Sequence, residues 1–74
     1  MSRKDKLYAD FVEPANGPIV EYLVIAVRLP NGAIELITNT YNLTEKLDYY
    51  MNAYDDDLFL KANPEIRIVN WMVV

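Results

Sequence analysis

Three consecutive aspartates, Asp55, Asp56 and Asp57, and six tyrosines are the side chains of this chain that come closest to a reactive set. Carboxylates at suitable spacing hold a divalent cation or pair as a general acid and base. On a helix, however, neighbouring side chains point about 100° apart, and the glycine and distal glutamate of a calcium loop are missing. A glycosidase pair needs a cleft flanked by two aligned acids, for which a 74-residue chain has little room. Histidine and cysteine are absent and the one serine is Ser2, so the familiar nucleophile and general-base arrangements cannot be assembled. Gly17 and Gly32 form no phosphate-binding motif. The sequence therefore predicts no enzyme, no metal site and no cofactor.

Composition narrows the partners. Apolar residues make up 53% of the chain, above the roughly 45 to 50% of ordinary domains, so some apolar surface is expected to face another protein. A chain this short buries only about 60% of its unfolded surface and has neither of the usual staples, disulfide or metal. No apolar run approaches the roughly 18 residues of a membrane span, and Met1 to Lys6 lead into no signal-peptide core. A soluble, cytoplasmic protein is expected, with the Asn42-Leu43-Thr44 sequon incidental. Arg3, Lys4 and Lys6 crowd the start, and from Leu7 onward 10 acids stand against 4 bases. That balance repels phosphate backbones and disfavours direct nucleic-acid binding.

The elements that must position these residues follow from spacing. Met1 to Gly17 read as an arm, a short helix or an extra strand, with Ser2/Asp5 and Leu7/Phe11 favouring the helix. Residues 18–74 read as a single α+β domain. Within it, Pro30-Asn31-Gly32-Ala33 between two β-rich runs predicts a hairpin. A two-residue Asn31-Gly32 loop pairs Leu29 with Ile34, Val27 with Leu36 and Ile25 with Thr38, and places Arg28 opposite Glu35. Asn42 and Glu45 have capping-box spacing, with Thr44 the alternative cap for a slightly later start, and a helix of about four turns follows, with Leu43, Leu47, Tyr50, Met51, Tyr54 and Leu58 on one stripe. Asn63-Pro64 is expected to stop it. Glu65 to Val74 read as a third strand. The order is β-β-α-β, a three-stranded antiparallel sheet in the order 2-1-3 packed on one helix. The apolar run from Ile19 to Leu29 is expected at its centre.

One helix covers one sheet face, with Leu23, Ile25, Val27, Ile34 and Leu36 beneath it. The other face carries Tyr22, Val24, Ala26, Ile37 and an alternate set from the last strand, either Val69, Trp71 and Val73 or Ile68, Met72 and Val74. The arm is expected to fold over that face; left open, it is a homodimer or partner interface. A last strand ending Trp71-Met72-Val73-Val74 at a sheet edge invites pairing. The outward helix face, with Asp48, Asn52, Asp55 and Asp56 around Tyr49 and Phe59 near its end, is either a solvated surface or a site for a basic protein patch. Stacking of single-stranded nucleic acid on Tyr22, Tyr41 and Trp71 needs a basic groove that the composition does not supply.

In size, acidity and lack of catalytic side chains the chain resembles phage-encoded proteins that take over bacterial enzymes such as RNA polymerase or defence nucleases. The expectation is a non-catalytic, protein-binding regulator or inhibitor of a larger protein complex, with Asp48, Tyr49, Asn52, Asp55, Asp56, Tyr22 and Trp71 as contact residues. The alternative is a structural or assembly protein that forms a homo-oligomer through its apolar sheet face or edge strand.

Overall fold

Ser2 and Asp5 close a reciprocal cap in the computed structural model of the chain, which describes residues 1–18 and 22–74. Ser2 Oγ accepts from the Asp5 N–H at 3.1 Å, and Asp5 Oδ2 accepts from the Ser2 N–H at 3.2 Å. These bonds satisfy two donors that a helix start leaves orphaned. The backbone bond and then the hydroxyl bond from Ser2 hold the Asp5 carboxyl below its usual range. Helix α1 (Arg3–Asn16) follows, so the arm is a full helix. Leu7 and Phe11 lie one turn apart on its inner face, both 0% exposed.

Strands β1 (Leu23–Arg28) and β2 (Ile34–Asn39) form the expected hairpin, but in a register shifted by one residue. Ile25 pairs with Ile37, Ala26 with Leu36 and Val27 with Glu35. Pro30, Asn31 and Gly32 make a three-residue loop, closed by the Leu29 N–H donating to Ala33 O at 2.8 Å. Gly32, at φ +87, takes the left-handed position, and Asn31 stays out of the positive-φ region that a two-residue type I′ turn would require of it. A one-residue slip moves every β2 side chain to the opposite face. Ile34 and Leu36, expected beneath a helix, face outward, and Ile37 faces the helix side. The first part of the apolar run, residues 19–21, lies outside the described residues.

Helix α2 (Leu43–Ala53) begins without the expected capping box, because Asn42 is left-handed at φ 51 and its side chain caps nothing. The helix ends at Ala53, a full segment before Asn63-Pro64. Tyr54 turns to extended backbone, and Asp55 Oδ1 accepts from the N–H groups of Asp57 at 3.0 Å and Phe59 at 2.9 Å, which winds the chain into a tight turn. Leu58 follows at φ 66 and is 0% exposed. Its left-handed backbone costs roughly 1 kcal/mol, and burying its side chain returns about twice that. A short strand β3 (Phe59–Leu60) then pairs with β4 (Asn63–Val73).

The sheet order is β2-β1-β4-β3, with every pair antiparallel. The class is α+β as expected, with two helices and four strands in place of one and three. Between Ala26 and Val27 the register shifts: Ala26 faces Asn70, Val27 faces Ile68, and Val69 is left over as a bulge. Ile68 therefore shares the covered face with Trp71 and Val73, while Met72 stands on the other.

Both helices lie on one side of the sheet. Leu7 and Phe11 join Leu23, Ile25, Val27, Leu43, Leu47, Tyr50, Leu58 and Ile68 in a single core. The arm thus does not cover the second sheet face, because its apolar stripe is spent against α2 and the same face that α2 covers. Lys4 fastens the two helical ends: its N–H donates to Asp56 O at 3.1 Å, and its Nζ to the carbonyls of Met51 and Tyr54. No helix among the described residues is long and apolar enough to cross a membrane.

Candidate protein-binding surfaces

Strand alternation builds the first surface. With Leu23, Ile25 and Val27 directed to the core, Tyr22, Val24, Ala26 and Arg28 point to the opposite side. Their cross-strand partners add Ile34, Leu36 and Thr38 from β2 and Met72 from β4. Val74 extends the ladder, exchanging hydrogen bonds with Tyr22 at 2.9 and 3.1 Å. Leu36 is 69% exposed and Met72 56%, values that leave no room for a cover. Val24, Ala26, Leu36 and Met72 help line a shallow depression of about 200 Å³ in this face. At its far end Arg28 faces Arg67 across the strands, and the Arg67 guanidinium rests on the Phe59 ring at 4.5 Å.

The second surface is a groove of about 480 Å³ between α2 and the edge strand β2. Ile37 and Asn39 form its floor, and Glu45, Tyr49, Tyr50 and Tyr54 its wall. Asn39 is buried, donating from Nδ2 to Leu23 O at 2.9 Å and accepting at Oδ1 from the Tyr50 hydroxyl at 3.0 Å. This pair ties the helix to the sheet, because a buried amide left unpaired is costly. Burial pushes the phenols of Tyr50 and Tyr54 above the usual tyrosine value, the Asn39 bond partly opposing it for Tyr50. Tyr54 is 5% exposed and lines the groove. Tyr49 stands exposed, edge-on to Tyr50 at 5.5 Å.

The residues singled out from the sequence do not form one site. Asp48, Tyr49 and Asn52 share the outward face of α2, where Asn52 Nδ2 donates to Asp48 O at 2.8 Å. Asp55 and Asp56 lie beyond the helix end: Asp55 caps the turn described above, and Asp56 sits 3.8 Å from Lys4 Nζ. The aspartate run is thus a turn and a helix fastener. Tyr22 lies on the open face, but Trp71 lies on the covered one, its Nε1 donating to Asp10 Oδ2 at 2.8 Å beneath the Arg3 guanidinium at 5.5 Å. Sequence reasoning missed Ile34 and Leu36 as surface residues, and it missed the groove entirely. The proline before Asn31-Gly32 is the signal that points to the longer loop and the shifted register.

The two sheet edges also differ. Along β4, β3 pairs with residues 63–67, Leu58 O accepts from the Ile68 N–H, Val69 O accepts from Arg3, and Asn70 Oδ1 accepts from the Trp71 N–H. Along β2 the residues from Ile34 to Thr38 are all exposed. Comparison with protein-family models, with curated proteins and with solved structures finds no match to this chain.

Proposed function

We propose that this chain is a non-catalytic protein-binding module that docks through the open face of its sheet and regulates or inhibits a larger protein complex. The observation that carries this reading is the uncovered apolar face itself. Tyr22, Ile34, Leu36, Met72 and Val74 are all large, exposed and contiguous across three strands. A patch of that kind marks an interaction surface, and its aromatic member is of the type that dominates binding energy. Its charged residues Arg28 and Arg67 set it apart within a chain that carries a net charge of −4 as a whole. An acidic patch at the edge of an apolar surface is the complement it calls for. Size and acidity point to a large enzyme, of the class of RNA polymerase or a defence nuclease, as the target.

A second reading is favoured by the free β2 edge beside the same face: two copies pack their open faces or pair their edges, and the protein is an assembly subunit. Light scattering of the purified protein beside Leu36→Lys/Met72→Lys separates the two. The regulator reading expects a monomer whose double variant no longer retains from lysate the large partner that the wild type retains. A stable oligomer that the double variant dissociates, with no partner retained by either protein, establishes the assembly reading. A double variant that retains the same partners refutes docking through this face.

A further inference from the structure

We infer that the free edge of β2 accepts an extended segment of a partner protein in which basic and apolar residues alternate, adding a fifth strand beside the α2 groove. This goes beyond docking on the open face: it uses the β2 main chain and the α2 groove, and shares with that face only the side chains of Ile34 and Leu36.

The backbone argument starts from the hairpin. The Leu29–Ala33 bond fixes the alternation of the antiparallel ladder, so residues 35, 37 and 39 bond toward β1. The N–H and C=O groups of Ile34, Leu36 and Thr38 consequently point away from the sheet. They present three donors and three acceptors in strand geometry, and among the described residues no proline, bulge or neighbouring strand blunts them. An added strand satisfies them and supplies affinity from the main chain alone.

The side chains state which strand fits. Alternate residues of the incoming segment fall on opposite sides of the sheet. Those on one side extend the apolar row of Ile34 and Leu36. Those on the other enter the groove, where Glu45 stands on the wall; beyond the lining, Asp48 lies one turn along α2 on its exposed face, and Glu35 lies two residues before Ile37 on the same side of β2. The groove's own cation, Lys46, lies over the Tyr41 ring at 5.9 Å. Tyrosine rings bordered by carboxylates attract an ammonium or guanidinium group. Tyr54, a largely buried side chain, adds a phenol to the same wall. Lysine or arginine therefore suits the groove side, and valine or another β-former the outer side.

The test titrates the isotope-labelled chain with a capped Lys-Val-Lys-Val-Lys-Val peptide and follows amide hydrogen exchange. The inference expects saturable binding and at least about tenfold slower exchange at Ile34, Leu36 and Thr38. A Glu-Val-Glu-Val-Glu-Val peptide should not bind. Glu45→Lys with Asp48→Lys, both on exposed helix surface, should weaken the lysine peptide about tenfold. Thr38→Pro removes one outward N–H without touching a bond to β1 and should do the same. Unchanged exchange at the three amides, or equal binding of the glutamate peptide, overturns the inference. Protection of these amides that rises with protein concentration and without peptide assigns the edge to a second copy, and also overturns it. Met72→Lys, two strands away, should leave peptide binding intact while weakening docking on the open face. Loss of peptide binding in that variant places the peptide on the open face, which sinks the edge assignment and leaves the docking reading standing.

Discussion

On one side of the sheet Leu23, Ile25 and Ile68 are at most 1% exposed beneath two helices, whereas on the other Leu36 and Met72 stand more than half exposed. The same three strands make both faces, and their compositions are similar. What differs is where the helices go. α1 brings Leu7 and Phe11, and α2 brings Leu43, Leu47 and Tyr50, and these five side chains pack with one another as well as with the sheet. A helix moved to the far side would cover Leu36 and Met72 but would forfeit its contact with its neighbour. Two helices on one face form one core of useful depth; one on each face would form two thin ones. The lesson is that a short chain with an excess of apolar residues concentrates its burial and leaves a coherent remainder outside, not a scatter.

Substitutions on the two faces should separate stability from interaction. The largest effect is expected for Phe11→Ala, which empties the centre of the covered side. A loss of about 3–5 kcal/mol is the usual cost of deleting a buried phenylalanine. Total stability for a chain of this length is only about 4–11 kcal/mol, so urea denaturation should show a variant close to unfolding. A wild-type-like midpoint would mean that α1 is not part of the core.

A smaller loss, about 1–3 kcal/mol, is expected for Tyr50→Phe, which leaves the buried Asn39 amide without its hydroxyl partner. The pH dependence should change with it. Burial raises the Tyr50 and Tyr54 pKa values, so the neutral phenols favour the folded state. Their contribution is complete below the unfolded tyrosine value of about 10 and is lost as pH rises from there through the folded values. Tyr50→Phe should shallow that alkaline decline, measured by thermal melts across the range, and an unchanged slope would assign the decline to Tyr54 alone.

The smallest effect on stability is expected on the open side. Leu36→Lys should shift the unfolding free energy by less than about 0.5 kcal/mol, because the side chain contacts water in the isolated chain. A loss comparable to that of Phe11→Ala would show that the face is covered in solution by a second copy.

How far these faces were legible in the sequence depends on the range of the interactions that set them. Ser2/Asp5 and Leu7/Phe11 speak within four residues, and they state both the start of α1 and its buried side. Leu23, Ile25 and Val27 alternate cleanly, and their burial follows. The β2 phase did not follow, because Pro30 accommodates a loop one residue longer than Asn-Gly alone suggests, and one residue inverts a face. The end of α2 was hidden for another reason. Helical periodicity continues through Tyr54 and Leu58, and both are buried as the periodicity implies, yet the backbone leaves the helix at Tyr54 because Asp55 caps a turn and Leu58 accepts a left-handed conformation. The acidic helix face lost Asp55 and Asp56 by that same turn. The groove between α2 and β2 depends on the relative placement of two elements, about which local pattern is silent.

The bulge at Val69 bears on how this sheet tolerates change in length. Ile68 and Asn70 already sit on opposite faces with Val69 set aside between them. A deletion of Val69 would join them as ordinary neighbours, and Trp71, Met72 and Val73 would keep their sides. What would be lost is the carbonyl that receives the Arg3 guanidinium. The strand thus carries a built-in spacer, a position where a residue can be dropped over descent while both faces of the molecule continue to read as before.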